Sequence, residues 1–146
     1  MNNNPRNSLD FSETEKLADN TLIEVMQEKN PFEASSKYVL IKHDYYSVDS
    51  DHGRKLLSAF LTSLCHSSFN SVVIYLVDSG TKLMDESNPL NGDMLRLLEK
   101  SESVILASES VEAYGVNVIP DDKITDQSIQ SIAEDITYLS DLLTLE

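Results

Sequence analysis

Val72-Val-Ile-Tyr-Leu-Val77 is an apolar run, with apolar side chains at the positions of both strand faces. A half-solvated strand alternates polar and apolar residues, whereas a strand packed on both faces does not. The run therefore reads as a central strand of a parallel sheet covered by helices. Upstream of it, Leu56, Leu57, Phe60, Leu61 and Leu64 recur at helical spacing, and Tyr38-Val-Leu-Ile41 forms a shorter apolar run before a loop from Asp44 to Asp51. Strand, helix and strand in that order make one βαβ unit.

Downstream, Asp78-Ser-Gly-Thr-Lys-Leu83 follows the central run, and Asn88-Pro89 offers a cap and a first-turn proline for a helix carrying Leu90, Met94, Leu95 and Leu98. A third strand is expected from Ser103 to Ala107, and a helical turn from Ser110 to Gly115. The stretch from Val116 to Thr125 is expected to hold one or two short strands around Pro120. Ile129, Ile132, Ala133, Ile136, Leu139 and Leu143 then predict a final amphipathic helix. The fold class is α/β: a three-layer α/β/α sandwich around a mostly parallel sheet of about five strands.

The first 36 residues read differently. Residues 1–10 are rich in asparagine and offer little apolar surface to offset ordering entropy. Ser12-Glu-Thr-Glu15 is a capping box, after which Leu17, Thr21, Leu22, Val25 and Met26 predict a helix from about Glu13 to Lys29. Asn30-Pro31 stops it, and a short linker reaches Ser36. The chain thus divides into a polar leader with one helix, residues 1–36, and an α/β body, residues 37–146.

The 146 residues include 25 acidic and 11 basic side chains, a formal charge of -14. A phosphate backbone is repelled by such a surface, and no local basic patch offsets the field, which excludes nucleic acid as a partner. The acidity reads first as a source of solubility, and a basic protein partner is the sharper alternative. No apolar run approaches the roughly 20 residues of a membrane span, the one cysteine has no disulfide partner, and the amino terminus lacks a secretory pattern. A cytoplasmic protein is expected. Three scattered histidines and one cysteine lack metal-ligand spacing, and no nucleotide-binding glycine fingerprint occurs, so neither a structural metal nor a cofactor is expected.

Ligands in open α/β sheets gather where strands end. His43 and Asp44 close the first strand, Gly80 and Lys82 follow the second, and Ser108, Ser110 and Tyr114 follow the third within Val104-Ile-Leu-Ala-Ser-Glu-Ser-Val-Glu-Ala-Tyr-Gly115. His43 and Asp44 read first as a strand-end turn with Lys82 in solvent. The alternative is a small pocket in which Lys82 holds an anion. A serine–histidine–acid catalyst from Ser110, His43 and Asp44 is disfavoured, because adjacent side chains on a strand point to opposite faces. Cys65, beside Leu64, reads as a packed small apolar residue, and His66 as a residue that suits the negative end of a helix.

Taken together, Tyr38 to Asp44, Asp51-His-Gly-Arg-Lys-Leu-Leu-Ser-Ala-Phe-Leu61, Val73 to Leu83, Leu95-Arg-Leu-Leu-Glu99 and Val104 to Gly115 resemble the DsrE-like family, especially the carboxy-terminal domain of YedF-type proteins. The resemblance implies a three-layer α/β/α fold and assembly as homo- or hetero-oligomers. Several members act in sulfur relay through a cysteine in the turn after a strand. Counted back from Tyr114-Gly115, that position falls on Ser110, read here as a helix cap. A hydroxyl makes no comparable carrier of sulfane sulfur, so transfer chemistry at this position is not expected. YedF-type proteins also carry a small TusA-like domain marked by a cysteine-proline motif. Residues 1–36 are too short for it and contain no cysteine. The expectation is a non-catalytic DsrE-like binding or regulatory subunit that assembles with itself or a protein partner and retains a site for a small anion or a partner's side chain. The alternative is a sulfur carrier using Cys65 or a partner's thiol.

Overall fold

The computed structural model describes residues 36–146, so the helix expected from Glu13 to Lys29 lies outside the described residues. Within them the order is β1 (Ser36–Ile41), α1 (Asp51–Cys65), β2 (Ser71–Leu76), a 3-10 helix (Asp78–Met84), α2 (Asn91–Lys100), β3 (Ser101–Ala107), α3 (Ser108–Tyr114), β4 (Ile124–Gln127), α4 (Ile129–Thr137) and β5 (Leu142–Leu145). The sheet runs β4-β3-β2-β1-β5, and all of its strand pairs are parallel.

The topology follows from the handedness of crossovers. From β1 to β4 the chain steps across the sheet in one direction, and α1 and α2 cover one face, with Leu57, Leu61, Met94 and Leu97 packed against Val39, Ile74 and Val104. The return from β4 to β5, beside β1, runs the other way. A right-handed connection must then pass over the opposite face. Helix α4 does so, setting Ile132 and Ile136 against Val73, Tyr75 and Ile105. These are the three layers, and β2 is buried on both sides as its unbroken apolar run requires.

Local chemistry fixes the element boundaries. Ser50 caps α1 by accepting the Gly53 N–H at 2.9 Å, which starts the helix at Asp51. His66 stands at its C-cap. The second helix begins later than Asn88-Pro89 suggests. Asn88 Oδ1 accepts the Leu90 N–H at 2.9 Å and its carbonyl accepts the Asn91 N–H, so Asn88 builds the preceding turn and the helix opens at Asn91. Ser110 is not a helix cap: α3 starts two residues earlier, at Ser108, with Ala107 at its N-cap and no side-chain cap bond. Gly115, in the left-handed region at φ 59°, ends α3.

Around Pro120, Val118 makes an isolated antiparallel bridge to Asp85, and β4 begins at Ile124. The final helix is shorter than its apolar spacing suggests. It ends at Thr137, and Leu142–Leu145 forms β5 instead of a last helical turn. Leu145 is 1% exposed there and packs with β1, and burial of that residue outweighs helical periodicity over so short a segment.

Candidate functional site

Parallel register sets the carboxyl ends of the strands side by side: Ile41 pairs with Leu76, and Leu76 with Leu106. His43-Asp44, Asp78-Ser79 and Ser108-Glu109-Ser110 therefore emerge at one edge of the sheet, within about 10 Å of one another at the usual strand spacing.

Asp78 ties these ends together. It follows β2 with φ 51°, a left-handed conformation that aspartate tolerates better than most residues. Its N–H donates to Ser110 Oγ at 2.9 Å, and its carbonyl accepts the Thr81 hydroxyl at 2.8 Å. Its Oδ1 accepts the Tyr114 hydroxyl at 2.8 Å, and its Oδ2 lies 3.5 Å from His43 Nδ1. One residue thus joins the segments after β1, β2 and β3. The Tyr114 phenol is pushed above its ordinary value, first by its bond to the Asp78 carboxylate, then by burial and by neighbouring negative charge.

His43 Nδ1 also lies 3.1 Å from Ser79 Oγ, and its ring stacks on Tyr45 with centroids 4.8 Å apart. A relay would need one ring nitrogen on the acid and the other on the serine, whereas here Nδ1 faces both Ser79 and Asp78. Gly80 explains how the 3-10 helix reaches this edge. Its N–H meets the Lys42 carbonyl at 3.2 Å, and a Cβ added there would come within 2.4 Å of the Ile41 oxygen.

In front of this network lies a cleft of about 330 Å³ lined by Asp44, Lys82, Asp85, Asn88 and Tyr114, among others. Lys82 Nζ sits 3.9 Å from Asp44 Oδ2 and 5.4 Å from the Tyr114 ring centroid. Asp44 is held from behind by Asn88 Nδ2, which donates to the same Oδ2 at 3.0 Å. The Asp85 carboxyl is held below the usual range by the Ser87 and Asn117 N–H groups and then by the Ser87 hydroxyl.

Of the residues expected from the sequence, Asp44, Lys82 and Tyr114 therefore share the cleft wall. His43, Gly80 and Ser110 build the support behind it, and Ser108 opens α3 outside the lining. Asp78, Asp85 and Asn88 join the site without a local sequence pattern that marks them as site residues. An acid directly after the central strand is the nearest to a signal for Asp78, but its left-handed backbone and four partners arise only from the tertiary arrangement. A larger cleft of about 540 Å³, between α3 and β4, has no cationic side chain in its wall.

Cys65 lies elsewhere. Helix α1 leaves the carboxyl end of β1 and returns to the start of β2, which places its last residue at the opposite edge of the sheet. There Cys65 packs beside the α1–α2 core, its Sγ donating to the Arg96 carbonyl at 3.6 Å. Among the described residues no group of three or more His, Cys, Asp or Glu side chains is placed to hold a metal ion. None of the described helices is long and apolar enough to cross a membrane.

No protein-family description and no curated protein matches the chain. Among solved structures it is similar to the conserved protein of unknown function BT1422 from Bacteroides thetaiotaomicron, at 17% identity and a TM-score of 0.52, over 75% of this chain and 95% of that one. At that identity the likeness speaks to the fold alone.

Proposed function

We propose that the chain is a cytoplasmic, DsrE-like binding subunit without transfer chemistry of its own, which assembles with itself or a partner protein and receives a polar group in the cleft at Asp44, Lys82 and Tyr114. One observation carries the reading. The Ser110 hydroxyl, at the position where the resemblance implies a reactive cysteine, accepts the Asp78 N–H at 2.9 Å and is built into the wall behind the cleft. Ser110 is half-exposed in the first turn of α3, a place that would suit a thiolate, but it offers only a hydroxyl, which braces β2 against α3. Cys65, at the far edge of the sheet, has no place in this cleft.

The test has two parts. Treating the protein with a sulfane-sulfur donor, followed by mass spectrometry, is expected to leave Cys65 unmodified. A persulfide on Cys65 that disappears in Cys65→Ala supports the sulfur-carrier alternative. Pull-down of the native protein is expected to recover a small molecule or partner whose recovery changes in Lys82→Ala. If neither Lys82→Ala nor Ser110→Ala changes what is recovered, the protein is a structural subunit instead.

A further inference from the structure

The charge of the cleft does not suit an anion. Its wall carries two carboxylates, Asp44 and Asp85, against the single ammonium of Lys82, and the chain as a whole carries -14. Asp85 is satisfied by three donors from Ser87 and Asn117. Asp44 is not: its side chain is only 13% exposed, and its hydrogen bond among the described residues is the one from Asn88. Lys82 Nζ, at 3.9 Å, lies beyond hydrogen-bond distance and supplies charge without a bond. A largely buried carboxylate is stabilised by two or three donors, so Asp44 has unused acceptor capacity facing the cleft.

Beside it stands the Tyr114 ring, whose hydroxyl is tied back to Asp78 so that its orientation is fixed. An aromatic face next to an under-satisfied carboxylate is a seat for a flat cation. A guanidinium fits it better than an ammonium, because it bonds a carboxylate through two parallel N–H groups, stacks on an aromatic ring and is less strongly hydrated. Lys82 now occupies this seat imperfectly. Its side chain is 42% exposed, and a four-carbon stem can swing into solvent.

We infer, on the premise that this cleft is the binding site proposed above, that its ligand is a guanidinium group, from an arginine of a partner protein or from a small molecule, seated between Asp44 and the Tyr114 ring, and that Lys82 is an internal stand-in which the ligand displaces. The acidic surface then favours the encounter as well as the seat.

The test is a titration of the isotope-labelled full chain, followed through its backbone amide NMR signals. The probes are acetyl-arginine amide, acetyl-lysine amide, inorganic phosphate and the peptide Gly-Gly-Arg-Gly-Gly. Acetyl-arginine amide is expected to shift the Asp44, Lys82, Asn88 and Tyr114 signals at lower concentration than acetyl-lysine amide. Lys82→Met is expected to tighten arginine binding about two- to fivefold, the size of a solvent-exposed lysine–carboxylate pair. Asp44→Asn is expected to weaken it at least about fivefold, with unchanged β2 signals showing that the variant is folded. A peptide that binds more tightly than acetyl-arginine amide assigns the seat to a partner's arginine, and equal binding assigns it to a small ligand. Weaker arginine binding in Lys82→Met, or equal response to lysine and arginine, overturns the inference. Phosphate shifting the same signals in place of arginine overturns it while leaving the cleft as a binding site. No response to any probe removes both readings.

Discussion

Ser110 shows what sequence could and could not convey at the scale of one residue. A serine near a strand-to-helix junction has the chemistry of a cap, and the hydroxyl does accept a backbone N–H. That N–H belongs to Asp78, 32 residues earlier, and not to its own helix. The choice between a local and a distant donor depends on β2 and β3 lying side by side, which no local pattern encodes. Tyr114 was legible as a candidate from its place before Gly115, but its partner was not. Its role makes a prediction with a definite sign. The folded phenol is held above its ordinary value of 10.0, chiefly by Asp78, so the stabilisation is fully present below that value and is lost as pH rises through the folded value. Tyr114→Phe is expected to cost up to about 1 kcal/mol near neutral pH, below the usual range for a bond to a charged group because the pair is exposed, and progressively less in alkali as pH rises through the folded value. Urea denaturation of both proteins at neutral and at alkaline pH measures this. An equal cost at both assigns the effect to packing of the ring.

Among elements, the central run from Val72 to Val77 was the most legible because both of its faces are buried and its composition says so. The two helices on the first face were legible for the related reason that Leu57, Leu61, Met94 and Leu98 keep one periodicity over several turns. The last strand was not. Leu139 and Leu143 continue the spacing of Ile132 and Ile136, and no glycine or proline marks a break between them. Only the empty edge of β1 turns Leu142–Leu145 into a strand, pairing Val39 with Leu143 and Ile41 with Leu145. Its anchor is Leu145, 1% exposed within the first core, while Lys42 and Glu146 join beyond it at 2.6 Å. Leu145→Ala is therefore expected to destabilise the protein by about 2–5 kcal/mol, as for other large-to-small changes in a core. Were residues 142–145 the last turn of an amphipathic helix, Leu143 would carry the burial instead. Thermal or urea unfolding of Leu145→Ala beside Leu143→Ala decides it, with the larger loss expected at Leu145.

At the scale of the molecule, 25 acidic side chains against 11 basic ones bring repulsion that the fold has to overcome. Local pairs offset part of it. Arg54 bridges Asp49 and Asp51, Arg96 pairs with Asp93 one helical turn away, and Lys42 meets Glu146. Such exposed pairs contribute little each, whereas the repulsion is summed over the whole surface. The balance of the two is measurable because salt weakens both, shortening the screening length from about 30 Å at 0.01 M to about 8 Å at 0.15 M. Contacts at 3 Å feel this less than repulsion across the molecule. Added sodium chloride at neutral pH is thus expected to raise the melting temperature by a few degrees, with the steepest gain below about 0.15 M. Acid adds a separate loss. The Asp51, Asp85 and Glu146 carboxyls are held below their ordinary values, by Arg54, by the Ser87 and Asn117 donors, and by Lys42 respectively. Their contribution is present above the ordinary carboxylate range and is lost as pH falls through the lowered values. Calorimetric scans across salt at neutral pH and in acid separate the effects. A melting temperature that falls with salt at neutral pH would show that the local pairs outweigh the summed repulsion.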